Sequence, residues 1–201
     1  MKKANKALSL AVVAVAAGVV LSACGAKPEP QPAGEETGTQ TPVCEEFAMD
    51  GYVSASDEDA TISISYPEDK MEVTSQSMGT VHLLTKEVVP GELPTSAMAL
   101  TAFYFEGGPS LKQNVDSVVE GLKAQSEFTL ISREETTLSG LPAERLEYEY
   151  EAGDDEVRAT QVITIYPEGE MVVYLTFNRD PAREDLAEVG NNIIKSFCIE
   201  K

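Results

Sequence analysis

Three clusters of acidic side chains are the residues of this sequence whose type and spacing could do chemistry. They are Asp57-Glu58-Asp59, the alternating row Glu147, Glu149 and Glu151, and the run Asp154, Asp155 and Glu156. Carboxylate oxygens are the ligands that Ca²⁺ prefers in proteins, which makes the third cluster a weak candidate metal site. None of the clusters has the Asp-x-Asp/Asn-x-Asp/Asn-Gly spacing of a calcium-binding loop. We therefore interpret the first and third clusters as turns and expect no bound metal.

The row Glu147, Glu149 and Glu151 fits the solvent face of an alternating strand. Like charges in one row repel each other, and a bound cation or a facing arginine such as Arg158 would relieve this repulsion. Glycoside hydrolysis needs two carboxyl groups on either side of a cleft, and nothing in the sequence places such a pair beside one. The row therefore predicts an exposed face rather than a catalytic centre.

The single histidine, His82, limits the catalytic chemistry that this chain can support. It lies among apolar residues in a predicted strand, where a packed or surface histidine is the simpler interpretation. One histidine cannot build a histidine-based zinc site. The sequence also contains no nucleophile elbow, phosphate loop or dinucleotide-binding glycine motif. We expect a protein that is not an enzyme and that carries no cofactor.

Tyr148 and Tyr150 alternate with the glutamates, so they should lie on the opposite face of the same strand. Aromatic side chains commonly line ligand pockets, and this pair is our weak candidate for ligand contact. Packing in the core is the alternative that the same pattern supports.

The N-terminus has the order of a secretory signal peptide. Three lysines within the first six residues precede a run of almost wholly Ala, Val, Leu and Gly over residues 7–20. Leu21-Ser22-Ala23-Cys24 then resembles the lipobox of bacterial lipoproteins, in which the Cys thiol receives a diacylglyceryl group and a peptidase cuts before it. A transmembrane span would need about 18 or more apolar residues. We expect residues 1–23 to be removed and lipidated Cys24 to anchor the protein on the extracytoplasmic face of the cell membrane.

Residues 24–43 predict a disordered linker behind the acylated cysteine. The segment is rich in Pro, Gly, Glu and Thr and has almost no apolar bulk, so it cannot bury enough surface to fold. Without the signal peptide the chain carries 12 basic and 34 acidic side chains, a formal charge of −22. Such a surface repels the phosphates of nucleic acid, so we expect no nucleic-acid partner.

Cys44 and Cys198 lie near the two ends of the remaining segment, residues 44–201, which we interpret as a single domain. Disulfide bonds persist in oxidising compartments outside the cytoplasm, and the termini of a domain often lie close together. We therefore predict a Cys44–Cys198 disulfide. Two free thiols or a redox pair are the alternative, but the sequence has no C-x-x-C motif.

Alternation of apolar and polar residues predicts most of the secondary structure of residues 44–201. Strands are predicted over residues 60–66, Met71–Ser77, Thr80–Lys86, 97–105, Phe128–Thr137, Ala143–Glu151, Val157–Tyr166 and Met171–Asn178. A first helix should follow Ser110, because Ser110 and Gln113 match a capping box. A second helix should begin at Asp180-Pro181, an N-cap followed by proline, and Gly190 should weaken it. The short connections between the later strands predict an antiparallel meander.

The string I-S-R-E-E-T-T-L-S-G-L-P-A-E-R-L-E-Y-E (131–149) resembles the PsbP-like α/β/α fold. So do V-V-Y-L-T-F-N (172–178) and I-I-K-S-F (193–197) in the segments that follow. This group includes PsbP, DcrB and LpqN types, and the resemblance covers about residues 60–197. It implies an α+β domain in which two main helices pack on an antiparallel meander sheet of about six to seven strands. It also implies adaptor, binding or assembly roles and offers no catalytic residues.

These patterns together favour a non-catalytic, lipid-anchored binding or accessory module of the bacterial cell envelope. Its partner would be an envelope protein or a small or lipid-like ligand, and we expect the chain itself to be a monomer. The alternatives are an enzyme that acts on an envelope polymer through acidic residues and a structural surface protein without a specific ligand.

Overall fold

Ten strands and two helices make up the part of the chain that the computed structural model describes, which is residue 44 and residues 47–59, 61–86, 96–104, 109–125, 127–153, 155–166 and 171–199. They are β1 (Tyr52–Ser56), β2 (Ile62–Pro67), β3 (Met71–Ser77), β4 (Thr80–Thr85), β5 (Ser96–Tyr104), α1 (Leu111–Gln125), β6 (Phe128–Leu138), β7 (Leu141–Ala152), β8 (Asp155–Tyr166), β9 (Met171–Arg179), α2 (Asp185–Lys195) and β10 (Cys198–Ile199). The predicted signal peptide (1–23), Cys24, the linker and Asp154 lie outside the described residues. Neither of the two described helices is long and apolar enough to cross a membrane.

The strands form two sheets within a compact unit that spans Thr41–Lys201. A seven-stranded antiparallel sheet has the order β3-β4-β5-β9-β8-β7-β6, and a three-stranded sheet has the order β1-β2-β10. The α+β architecture and the meander β6-β7-β8-β9 are therefore confirmed. The largely apolar β5 lies inside the large sheet, between β4 and β9. The sequence did not predict the short strands β1 and β10 or the small sheet that they form with β2.

The two helices cover opposite faces of the large sheet. Tyr174 of β9 donates a hydrogen bond from its hydroxyl to Asn114 Oδ1 of α1 at 3.1 Å, whereas Phe177 of the same strand packs beneath Gly190 of α2. Residues an odd number of positions apart in a strand point to opposite faces. The small sheet shares a hydrophobic core with the α2 face, where Ile62 and Ile64 of β2 are almost fully buried.

The start of α1 confirms the predicted capping box. Gln113 donates its backbone N–H to Ser110 Oγ at 3.3 Å, and Ser110 donates its own backbone N–H to Gln113 Oε1 at 2.9 Å. Arg133 of β6 then ties the helix to the sheet, because its guanidinium contacts Asp116 at 2.6 Å and Glu144 at 3.1 Å. The turn between β6 and β7 is formed by Ser139 and Gly140, which both have positive φ angles, of 49° and 74°, as a two-residue hairpin turn requires.

The predicted start of the second helix is wrong by four residues, because the N-cap is Glu184 and not Asp180. Asp180 does not cap a helix: its Oδ1 accepts the backbone N–H of Ala182 at 2.8 Å, and its carbonyl accepts that of Arg183 at 3.0 Å. Arg179 also donates to the carbonyls of Asp180 and Pro181 at 3.2 and 3.1 Å. These bonds hold a turn, and α2 begins only at Asp185.

Asp57, which the sequence places in a turn, joins the small sheet to the large one. Its carboxylate accepts hydrogen bonds from the backbone of Thr61 and Ile62 and from the Thr61 hydroxyl, at 2.7, 3.0 and 2.9 Å. It also accepts the backbone N–H of Gly79, in the turn between β3 and β4, at 2.9 Å. Burial raises the pKa of Asp57, but the hydrogen bonds from Ile62, Gly79 and Thr61 outweigh this effect and hold the pKa below its usual value.

Replacing Asp57 with asparagine is expected to lower the free energy of unfolding by about 2 kcal/mol at pH 7, because an amide offers one acceptor oxygen where the carboxylate offers two. A depressed pKa stabilises the fold above the unfolded-state pKa of about 4, and this contribution is lost as the pH falls through the folded value. The difference between wild type and variant should therefore shrink below about pH 4. Urea unfolding at pH 7 and pH 3 measures it. The exposed Asp59→Asn variant is the matched control, and an equal loss in that variant would contradict the assignment.

Candidate functional site

The predicted ligand candidates Tyr148 and Tyr150 lie in β7 on the face that α1 covers. Tyr148 is buried, and its ring centroid lies 5.4 Å from that of Phe128 and 6.0 Å from that of Tyr150. Burial raises the pKa of both tyrosines above its ordinary value. This geometry supports the packing role for the pair.

The described members of the candidate metal cluster, Asp155 and Glu156, are exposed at the start of β8. In the β7–β8 register Asp155 faces Ala152 and Glu156 faces Glu151. Within the described ranges, no group of three or more His, Cys, Asp or Glu residues is placed to hold a metal ion.

Two glutamates of the row, Glu147 and Glu149, are paired with arginines, as the sequence predicts for Arg158. The guanidinium of Arg158 lies 3.5 Å from Glu147 and 3.6 Å from Glu149. Arg145 approaches Glu147 from the other side at 3.0 Å. Glu147 therefore lies between two guanidinium groups.

His82 has no acid–base partner across the strands that flank it. It lies in β4 opposite Ser75 of β3 and Ala99 of β5. Burial lowers its pKa below the ordinary value, so the imidazole is neutral at pH 7.

A cavity of about 350 Å³ lies between the large sheet and the second half of α2. Its lining residues come from four elements: Thr136, Thr137 and Leu138 of β6, Arg145 of β7, Val162 of β8, and Asn191, Ile194 and Lys195 of α2. The volume is that of a small-molecule site, since such sites run from about 300 to 1,000 Å³. We take this cavity as the candidate functional site.

The floor of the cavity is apolar. Leu138, Val162 and Ile194 are 4%, 2% and 5% exposed and belong to the domain core. They meet because the antiparallel register brings β6, β7 and β8 side by side. Ile194 also lies three residues after Asn191, so both residues share one face of α2.

The rim of the cavity includes the hydrogen-bond donors of Arg145, Asn191 and Lys195. Arg145 Nη2 donates to Asn191 Oδ1 at 2.8 Å and to Glu147 Oε1 at 3.0 Å, which fixes the guanidinium across the sheet–helix boundary. In the described part of the chain, neither Arg145 Nη1, Asn191 Nδ2 nor Lys195 Nζ has a hydrogen-bond partner within the cavity. The cavity can therefore take a ligand with an apolar part on the floor and acceptor atoms at the rim.

Sequence reasoning missed this site. The alternation in β7 predicts only that Arg145 lies on the polar face with the glutamates, and no pattern in the sequence gives Lys195 a role. The available signal was weak: Asn191 and Lys195 stand four residues apart on a helix, next to the core residue Ile194. Only the packing of α2 on the sheet brings them to Arg145.

Comparisons with known proteins identify the fold. The sequence matches no protein-family model and no curated protein. The structure is similar to that of LpqN of Mycobacterium tuberculosis, a protein involved in cell envelope biogenesis, with a TM-score of 0.55 and 17% identity over 75% of this chain and 91% of LpqN. It is also similar to cyanobacterial PsbP (CyanoP) of Synechocystis, with a TM-score of 0.54 and 14% identity over 78% of this chain and 97% of CyanoP.

A third similar structure comes from Bacteroides thetaiotaomicron, with a TM-score of 0.55 and 14% identity over 76% of this chain. The present chain spans half the length of that protein. At these identities the likeness concerns the fold. The described domain, with two helices on opposite faces of an antiparallel sheet, therefore has the PsbP-like fold that the motif at residues 131–149 predicts.

Proposed function

We propose that this protein is a lipid-anchored binding module on the extracytoplasmic face of a bacterial membrane, without catalytic activity. The cavity beneath α2 is its site for a small or lipid-like ligand. The observation that carries the proposal is the combination in this cavity of a buried apolar floor and a rim of donors that face the cavity. Sites for small molecules have this composition, mostly apolar with a few placed polar groups.

Three further observations support the location, and a fourth supports the absence of catalysis. The N-terminal sequence predicts a signal peptide followed by an acylated Cys24. The structure has a disulfide between Cys44 and Cys198, a bond typical of oxidising compartments. LpqN, which shares the fold, is involved in cell envelope biogenesis. The candidate base His82 lies opposite Ser75 and Ala99, and neither residue is the carboxylate that orients the histidine of a Ser-His-Asp triad.

Binding of six-carbon probes tests the proposed site. The full chain would be reconstituted in phosphatidylcholine nanodiscs and mixed with hexanoate, hexan-1-ol or hexylammonium, and saturation-transfer NMR would detect binding of each probe. We expect at least one probe to bind saturably. A Thr136→Trp variant should abolish that binding, because its side chain would fill the cavity. Thr129→Trp places the same ring at an exposed position in the same strand, outside the cavity, and should not affect binding.

The same preparation tests the anchor, since its intact mass reports whether the chain begins at Cys24 and carries acyl groups. An unmodified Cys24 would overturn the anchor. Absence of binding by all three probes, or binding that Thr136→Trp leaves unchanged, would overturn the ligand site.

A further inference from the structure

We propose that the ligand of the α2 cavity is an anion, a carboxylate or phosphate monoester on a short apolar chain, held by Arg145 and Lys195. This inference rests on the proposed function, because it names the ligand class of the same cavity. The inference follows from the unused hydrogen-bond donors of Arg145 and Lys195, from the acidic side chains around them and from the apolar surface of the cavity floor.

Arg145 is oriented in advance for an anion. Its side chain is 24% exposed, and the bonds from Nη2 to Glu147 and Asn191 hold the guanidinium in place. A guanidinium has five N–H donors, and these two bonds use only those of Nη2. The Nη1 hydrogens remain, and they can donate charge-assisted hydrogen bonds to the oxygens of a carboxylate or phosphate.

Lys195 is an uncompensated cation in a strongly acidic protein. The chain has 34 acidic and 15 basic side chains, and the described basic residues that flank the sheet mostly have acidic partners: Arg133, Arg145 and Arg158 all form ion pairs. Lys195 forms none within the described part of the chain and lies exposed at the mouth of the cavity. It also stands in the last turn of α2, where a cation offsets the helix dipole, and an anion bound in the cavity would add a second interaction.

The acidic side chains near the cavity leave the positive charge of Arg145 and Lys195 available to bind an anion. Glu147 lies between Arg145 and Arg158, so its charge is already shared by two guanidinium groups. Glu134 faces Arg145 in the β6–β7 register but is exposed and does not line the cavity. Its charge would oppose an anion, and its removal should strengthen anion binding.

The apolar floor of the cavity restricts the chemistry of the part of the ligand that lies outside its acidic group. Leu138, Val162 and Ile194 present a buried hydrocarbon surface, which favours an alkyl chain over a second charged group. A volume of about 350 Å³ accommodates a chain of a few carbon atoms beside one acidic group. An amphiphile with a single acidic group meets both conditions.

A series of probes that differ only in head group tests the inference in the nanodisc preparation. Hexanoate and hexyl phosphate should bind at least about tenfold more tightly than hexan-1-ol, because one charge-assisted hydrogen bond is worth about a factor of ten. Hexylammonium should not bind measurably. Lys195→Gln and Arg145→Gln should each weaken anion binding about tenfold and leave hexan-1-ol binding unchanged, and Glu134→Gln should strengthen it. Lys123→Gln, in the last turn of α1, is the matched control.

The outcomes separate this inference from the proposed function. If hexan-1-ol or hexylammonium binds as tightly as hexanoate and Thr136→Trp abolishes that binding, the ligand is not selected by charge: the inference fails while the site stands. If no probe responds to Thr136→Trp, both fail. Because loss of Arg145 could loosen α2, the thermal midpoint of each variant is measured alongside. If Arg145→Gln lowers that midpoint, the effect of Lys195→Gln on hexanoate binding decides whether the cavity selects its ligand by charge.

Two sources could supply this chemistry, a soluble acid or the head group of an anionic lipid. Nanodiscs that contain phosphatidic acid, a lipid whose head group is a phosphate monoester, distinguish them. Suppression of hexyl phosphate binding in these discs would identify the lipid head group, and unchanged binding would identify a soluble anion. Either result supports an anion site, provided that Lys195→Gln weakens the binding measured in phosphatidylcholine discs.

Discussion

Replacing Gly190 with alanine is expected to lower the free energy of unfolding by about 2 to 3 kcal/mol. An added Cβ would lie 2.6 Å from both Cε1 and Cγ of Phe177, and closer still to Cδ1. Phe177 is 2% exposed and packs between β5 and β8, opposite Met98 and Thr160. The ring therefore cannot move aside, and α2 would have to shift away from the sheet.

The expected loss of stability is opposite in sign to the effect of helix propensity, so the experiment distinguishes the two contributions. Alanine is about 1 kcal/mol better than glycine inside a helix, so a helix without contacts would gain stability from the change. Gly121 of α1 supplies that control, because nothing lies within 4 Å of a Cβ built there. Denaturant unfolding should show Gly190→Ala below wild type and Gly121→Ala above it. A gain in both variants would mean that α2 does not pack on Phe177 as described.

Removing the Cys44–Cys198 disulfide is expected to lower the free energy of unfolding by about 3 to 5 kcal/mol. The bond joins residues 154 positions apart, with Cα atoms separated by 5.1 Å. Closing a loop of this length removes a large part of the freedom of the unfolded chain, and the chain-entropy estimate is about 5 kcal/mol. Cys198 also pairs with Ser63 through β10, so the disulfide joins Cys44 to the small sheet.

Guanidinium unfolding with and without reductant measures the loss, and the double variant Cys44→Ala/Cys198→Ala is the control. Wild type should lose stability when reduced, and the double variant should be insensitive to reductant. Two free thiols titrated in the unfolded, unreduced protein would contradict the bond.

Local chemistry accounts for what the sequence predicted well. The capping box of Ser110 and Gln113 needs only residues three positions apart, and both of its bonds are present. The alternation in β7 was visible because its two faces have different surroundings: Leu146 and Tyr148 are buried, whereas Glu147 pairs with arginines. In these cases, residues that are close together in the sequence determine the local structure.

Tertiary contacts account for what the sequence could not supply. Asp180-Pro181 is compatible with a helix start or with a turn, and the bonds from Arg179 to the carbonyls of Asp180 and Pro181 favour the turn. Gly190 reads as a helix defect, yet its missing side chain is the space that Phe177 occupies. The anion site needs Arg145 and Lys195, fifty residues apart in the sequence, and only the docking of α2 makes them neighbours.

The pairing of β5 with β9 and of β2 with β10 also determines when the domain can finish folding. The meander from β6 to β9 consists of neighbours in the chain and can assemble by local steps, whereas the early strands wait for partners about 75 to 135 residues downstream. Contacts between residues this far apart in the sequence slow folding, because the chain loses the entropy of the intervening loop before the contacts can stabilise the fold. A chain that emerges N-terminus first therefore keeps one edge of β5 unpaired until β9 arrives and one edge of β2 unpaired until β10 arrives, so completion of the domain is a late event governed by these two strands.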